Sequence, residues 1–223
     1  MRYNASLAAA LVLAPTLAIG AGSEDPAYEK LLAVCAGIQN AGECARTIEA
    51  SHKDRATTTR FRRIGQSLSV VLPNREFVFR DGENPDGDVQ YSYIAYLAKP
   101  GIHVIRRQYG EGNEFTVLGE RDDRAQVVPG FPVLSPSATR FLSYSEAGES
   151  GYNADAIEVW RVSRGRLNRE VKMEPNIAGC SIKEVKWLSD VAVRLAGEPN
   201  EGSSGGKACR ISLEYSSGRW VAA

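Results

Sequence analysis
Two histidines, His52 and His103, are all the imidazole that this 223-residue chain carries. A Ser-His-Asp triad or a histidine-rich metal centre would have to be built from those two. His103 sits in the apolar run Gly101-Ile102-His103-Val104-Ile105. Strand alternation puts it opposite Ile102 and Val104, on the face expected to be the more exposed. His52 falls in the polar stretch Ser51-His52-Lys53-Asp54. No Gly-x-Ser-x-Gly elbow accompanies either. Both are expected in structural or surface roles, so no catalytic residue is assigned.

Carboxylates are plentiful, with Asp and Glu numbering 27. A glycosidase would need two of them at a fixed separation, but nothing in the sequence singles out a pair. Asn84, Asp86 and Asp88 offer oxygen ligands for calcium, yet the full EF-hand pattern is missing and Asp-Gly is an ordinary turn pair. Neither a metal nor a cofactor is expected. The four cysteines, Cys35, Cys44, Cys180 and Cys209, are spaced too widely for zinc and suit two disulfides. Of the three possible pairings, Cys35–Cys44 and Cys180–Cys209 close the shortest loops and carry the lowest entropic cost.

The remaining candidates concern binding. Arg55, Arg60, Arg62 and Arg63 form the densest basic cluster. It reads either as a face for an acidic partner or as a solvated helix end. The stretch 146–158 reads as a long loop between strands, and long loops on rigid scaffolds are where binding sites concentrate. Its candidate partner-binding residues are Glu146, Glu149, Ser150, Tyr152, Asn153 and Asp155, with Tyr152 as the anchor. Tyr91, Tyr93 and Tyr96 cannot all share one face of a strand, which argues against a tyrosine ladder. The glycine-rich stretch 200–206 does not open a helix and reads as a linker.

These residues must be positioned by three segments. Residues 1–21 read as a secretory signal peptide: Arg2 supplies the positive start, 7–19 the apolar run, and Gly20-Ala21-Gly22 the small-residue site. Removing 21 residues leaves 202 and takes Arg2 with it, so the net charge moves from zero to −1. The apolar run is shorter than the roughly 20 residues a spanning helix needs. Residues 22–66 read as a helical prefix, with Leu31, Leu32 and Cys35 at helical spacing and a restart after Gly42. Residues 67–223 read as a β-rich domain.

Within that domain, 67–72 and 76–80 form a hairpin, and 81–88 a loop. Three units of four strands follow. The first is expected at 91–97, 102–109, 114–120 and 125–128. The second covers 131–134, 139–145, 156–162 and 169–173. The third covers 182–187, 191–196, 207–215 and 219–222. Tight turns such as Lys99-Pro100-Gly101, Ser135-Pro136-Ser137 and Ser163-Arg164-Gly165 join them. The fold class is therefore mainly β. It has three blade-like four-stranded antiparallel units, forming an incomplete propeller-like array or alternatively a β-sandwich, with a small N-terminal helical segment. The early hairpin is expected to cover the open edge of the third unit.

The run Phe131-Pro132-Val133-Leu134-Ser135-Pro136-Ser137-Ala138-Thr139-Arg140-Phe141-Leu142 resembles the first hairpin of WD40-like and TolB-type propeller repeats. In those repeats a strand enters Ser-Pro-Asp-Gly; here Ser137-Ala138 stands in place of Asp-Gly. Ile157-Glu158-Val159-Trp160-Arg161 is similar to the third strand of such a blade. The resemblance implies blade-like sheets but not a complete ring, because the chain supplies too few blades.

Lys and Arg also number 27, so the charge is balanced and the basic excess of a nucleic-acid binder is missing. The functional expectation is a periplasmic or secreted bacterial protein that is not an enzyme and binds another protein. In its specific form it is an inhibitor or immunity protein blocking an envelope-targeting enzyme. The alternatives are a cell-wall glycan or peptide hydrolase using carboxylates, and an envelope scaffold.

Overall fold
The computed structural model describes residues 28–52, 60–84, 87–109, 112–145, 156–173, 180–199 and 209–222. The side chains of 83, 84, 87, 180, 181, 199 and 209 fall outside that description. So does the expected signal peptide. Two short helices, α1 (Tyr28–Leu32) and α2 (Ala41–Ser51), flank a 3-10 turn at Ala33–Cys35. Asn40 caps α2, its side chain accepting the Glu43 N–H at 2.9 Å. A disulfide joins Cys35 to Cys44, as expected, and ties the 3-10 turn to α2. Among the described residues no helix is long and apolar enough to cross a membrane.

The rest of the described chain is antiparallel sheet. The first sheet holds β1 (Phe61–Ile64), β2 (Ser67–Leu72) and β3 (Arg75–Arg80). The second holds β4 (Gly82–Asn84), β5 (Gly87–Leu97), β6 (Ile102–Tyr109), β7 (Gly112–Gly119) and β8 (Gln126–Val128). The third holds β9 (Val133–Leu134), β10 (Arg140–Tyr144), β11 (Ile157–Ser163) and β12 (Arg166–Met173). The fourth holds β13 (Cys180–Ser189), β14 (Ala192–Pro199), β15 (Cys209–Ser216) and β16 (Arg219–Ala222). In every sheet, spatial order follows chain order. The three expected four-stranded meanders are present, and β4 adds a fifth strand to the first of them.

Side-chain alternation lets each inner sheet bury both faces, so the sheets stack in chain order. Phe61, Leu68, Val70 and Leu72 of the first sheet pack on Tyr93, Ile105 and Leu118 of the second. The opposite face of the second sheet, through Ile94, Val104 and Val117, meets α2 and the third sheet's Phe141 and Trp160. The next residue along β10, Leu142, turns the other way with Val159 to meet Val193, Leu195 and Leu213 of the fourth sheet.

Three expectations are corrected. The helical prefix was drawn through residue 66, but Phe61-Arg62-Arg63-Ile64 alternates and pairs with 67–70 as β1. The early hairpin belongs to that first sheet and packs on β5 of the second unit of sheet structure, not on the third blade-like unit. The loop 81–88 contains β4, paired with the start of β5. The expected Cys180–Cys209 bond lies outside the described side chains. In the backbone, Cys180 is in register with Pro199 and Cys209 with Gly197, so β14 runs between them.

Candidate functional site
The loop with the sequence-level site residues, Glu146, Glu149, Ser150, Tyr152, Asn153 and Asp155, lies outside the described residues. Its base is described. The Ser145 N–H donates to the Ala156 carbonyl, and the Ala156 N–H donates to Ser145 Oγ, each at 3.2 Å. That base sits at one end of the third sheet. The short hairpin turns gather at the other end.

Several contacts bind those turns together. Arg75, after the β2–β3 turn, pairs with Asp123 in the β7–β8 turn at 2.9 Å. The Arg121 N–H donates to the Gly165 carbonyl at 3.0 Å, and Asp122 accepts the Leu167 N–H. Lys99 Nζ donates to the Pro136 carbonyl at 3.0 Å, and Asp190 accepts the Ser137 N–H at 2.9 Å. Gly119 is required here: a Cβ on it would lie 2.2 Å from the Gly165 carbonyl oxygen.

Four of the turns enclose an open cleft of about 630 Å³. The β5–β6 turn lends Lys99, Pro100 and Gly101; the β7–β8 turn lends Glu120 and Arg121. The β9–β10 turn lends Ser137, Ala138 and Thr139, and the β11–β12 turn lends Arg164 and Gly165. Ser137 Oγ and Thr139 Oγ1 are hydrogen-bonded to each other at 2.8 Å. Arg121 and Arg164 are exposed, and neither guanidinium has a carboxylate partner among the described residues. Two non-glycine residues in the lining, Ala138 (φ 56°) and Arg164 (φ 52°), hold left-handed backbone. Such conformations cost free energy and collect at functional sites.

The one carboxylate in the lining, Glu120, is already engaged. Tyr96 donates its hydroxyl to Glu120 Oε1 at 2.7 Å, and the Arg60 guanidinium lies 3.7 Å away while stacking on the Tyr96 ring. Burial, and then the bond to Glu120, push the Tyr96 hydroxyl pKa up. Behind Tyr96, the His103 Nδ1 shares a hydrogen bond with the Tyr93 hydroxyl at 3.0 Å. His103 was expected on the exposed face but is 1% exposed, because the first sheet covers that side of β6. Burial holds its pKa down to about 4, against a smaller upward pull from Glu120. His52, also buried, ends α2 and donates Nε2–H to the Ile94 carbonyl at 2.7 Å.

The basic cluster likewise resolves into ion pairs. Arg62 binds Glu76, and Arg63 binds Glu49 and Asp81; Arg55 lies outside the described residues. The other buried acids are held in the same way. Glu158 accepts from Trp160 Nε1 and Arg169, and Glu170 accepts from Arg140 and Trp220 Nε1. No group of three His, Cys, Asp or Glu able to hold a metal occurs among the described residues.

Comparison of the chain with protein-family models, with curated proteins and with solved structures finds no match. Sequence reasoning missed the cleft because it took Lys99 and Arg164 as ordinary turn residues and did not single out Arg121. The available signal was their recurrence. The turns β5–β6, β7–β8 and β11–β12 each carry a cation, and strand alternation of direction sends them to one end.

Proposed function
We propose that this is an exported, non-enzymatic protein that binds another protein, in its specific form an inhibitor or immunity protein for an envelope-acting enzyme. One contrast supports the reading. The described imidazoles and buried carboxylates are bonded to the fold's own backbone, hydroxyl, indole and guanidinium groups, whereas unspent charge is displayed on Arg121 and Arg164 around an open cleft. Proton transfer needs a titrating group that faces substrate. Holding a partner needs exposed, rigidly carried groups, and stacked meanders supply the rigid carrier.

The test is capture from an envelope extract on the immobilised protein, followed by rebinding of the captured protein after purification. One protein retained in stoichiometric amount and rebinding as a pure complex supports the reading. Release of reducing ends or peptides from cell-wall material by the purified chain overturns it, as does failure to retain any protein. The loop centred on Tyr152 is a second surface for the same assay, where Tyr152→Ala is expected to weaken the complex about tenfold or more if it is the anchor.

A further inference from the structure
We infer that the turn-end cleft receives an acidic, extended peptide segment of the partner, whose carboxylates are taken by Arg121 and Arg164 with Lys99 beside them; this rests on the protein-binding reading above. The charge is one-sided. Three cationic side chains line the cleft against a single carboxylate, and that carboxylate is occupied by Tyr96 and Arg60. A guanidinium fork matches a carboxylate in two parallel hydrogen bonds, so two unpaired forks specify the ligand's acidic groups. Shape points to a segment rather than a small molecule. A small ligand is ordinarily enclosed over most of its surface, while this cleft is open to solvent and bounded by turn backbone at Pro100, Gly101 and Gly165. A chain can lie across such a floor and leave at both ends.

The placement of Arg164 adds to this. The two-residue turn Arg164-Gly165 has both residues at positive φ, 52° and 73°. That turn type favours Asn, Asp or Gly at its first position. Arginine there is strained and unpaired, and the strain is intelligible if the side chain is required in the cleft. The equivalent turn of the fourth sheet carries Ser217-Gly218 in the same conformation away from the cleft, so the turn shape belongs to the hairpin and what sets residue 164 apart is the long cationic side chain placed there.

The probe is a fluorescein-labelled alternating Glu-Gly peptide of about ten residues, long enough to cross a cleft of this size when extended. It is read by anisotropy on the purified protein at low salt. The Lys-Gly counterpart, inorganic phosphate and polygalacturonate are run beside it. Wild type is expected to bind the acidic peptide and not the basic one. R121E/R164E is expected to weaken binding by about tenfold or more, with Arg194→Glu, an exposed charge on β14, leaving it unchanged. Arg164→Asn is expected to weaken binding several-fold while raising Tm, an outcome that a merely damaged fold cannot give. Equal binding by R121E/R164E overturns the proposal, as does binding of polygalacturonate or inorganic phosphate in place of the peptide. Capture of the same purified partner by wild type and R121E/R164E alike removes the cleft and leaves the protein-binding reading standing. Failure of wild type to capture any protein removes that reading itself.

Discussion
Along the outer edge of β5, four charged side chains are turned inward. Glu49 accepts the Tyr93 N–H and Asp81 the Tyr91 N–H, while Arg63 donates to the Tyr91 carbonyl and to both acids. Arg46 completes the set by binding Asp81, and His52 serves the Ile94 carbonyl one step further on. Because β4 is only three residues long, this stretch of β5 has no strand partner on that side among the described residues, and side chains of α2, β1 and Asp81 take the place of one. At the turn end the same residue types behave differently. Arg121 and Arg164 are exposed and hold no acid among the described residues. Charge near the prefix is spent on backbone groups that would otherwise be buried unpaired, whereas Arg121 and Arg164 stay exposed beside turns that Arg75, Asp122 and Asp190 tie together.

The largest expected difference tests that contrast directly. Glu49→Ala leaves the Tyr93 N–H without its acceptor and takes from Arg63 one of its two acids in a buried place, which costs about 3 kcal/mol. R121E/R164E, on exposed turns, should change stability by no more than about 0.5 kcal/mol. Urea denaturation of both variants decides the matter. A small loss for the first and a large one for the second would reverse the assignment of fold and function between the two regions.

A second test uses pH. His103 faces Tyr93, Tyr96, Glu120 and Arg60, and its pKa in the folded state is held to about 4, below the ordinary value of 6.5. Between those values the unfolded chain binds the proton and the folded chain does not, so stability falls as pH falls through that window. The full loss is about 3 kcal/mol, reached near pH 4. His103→Asn should flatten that part of the profile. Acid sensitivity unaltered in the variant would show that burial under the first sheet is not what governs it.

Much of this was legible beforehand. Strand positions in the three four-stranded meanders followed from turn residues and alternation, and the strand bounds agree closely from Ile102–Tyr109 to Arg219–Ala222. What failed had tertiary causes. His103 alternates onto the face that local pattern calls exposed, and only the stacking of the first sheet buries it. Phe61–Ile64 follows a helix and continues a basic run, so its pairing with β2 could not be told from local spacing. The cleft was invisible for a similar reason. Its lining comes from four turns separated by up to 67 positions, from Ala98 to Gly165, and no window of sequence contains it.

The Cys35–Cys44 bond sharpens the comparison from the prefix side. Its loop is short, with a separation of nine residues, and closing such a loop restricts the unfolded chain by about 2–3 kcal/mol. Cys35→Ala/Cys44→Ala should lower the urea midpoint accordingly while leaving binding of the acidic peptide at wild-type strength. A loss of peptide binding in this variant would mean that the prefix and the cleft are coupled, and the division between the two regions would not hold.

The smallest effect is the most specific. Ala138, at φ 56°, occupies a turn position where glycine would be unstrained, and Arg164 occupies one suited to asparagine. Ala138→Gly relieves strain but loosens the unfolded chain, so its gain is partly offset; Arg164→Asn relieves strain without that offset. Each should stabilise by about 0.5–1 kcal/mol or less, with Arg164→Asn the larger. Ala138 contributes no charge, so its variant should bind the acidic peptide as wild type does, whereas Arg164→Asn should not. If both bind normally, the strain at the turns is a property of the hairpins alone. If only Arg164→Asn fails, a stabilised turn has lost its ligand, and the strain at residue 164 is tied to the arginine side chain rather than to the shape of the backbone.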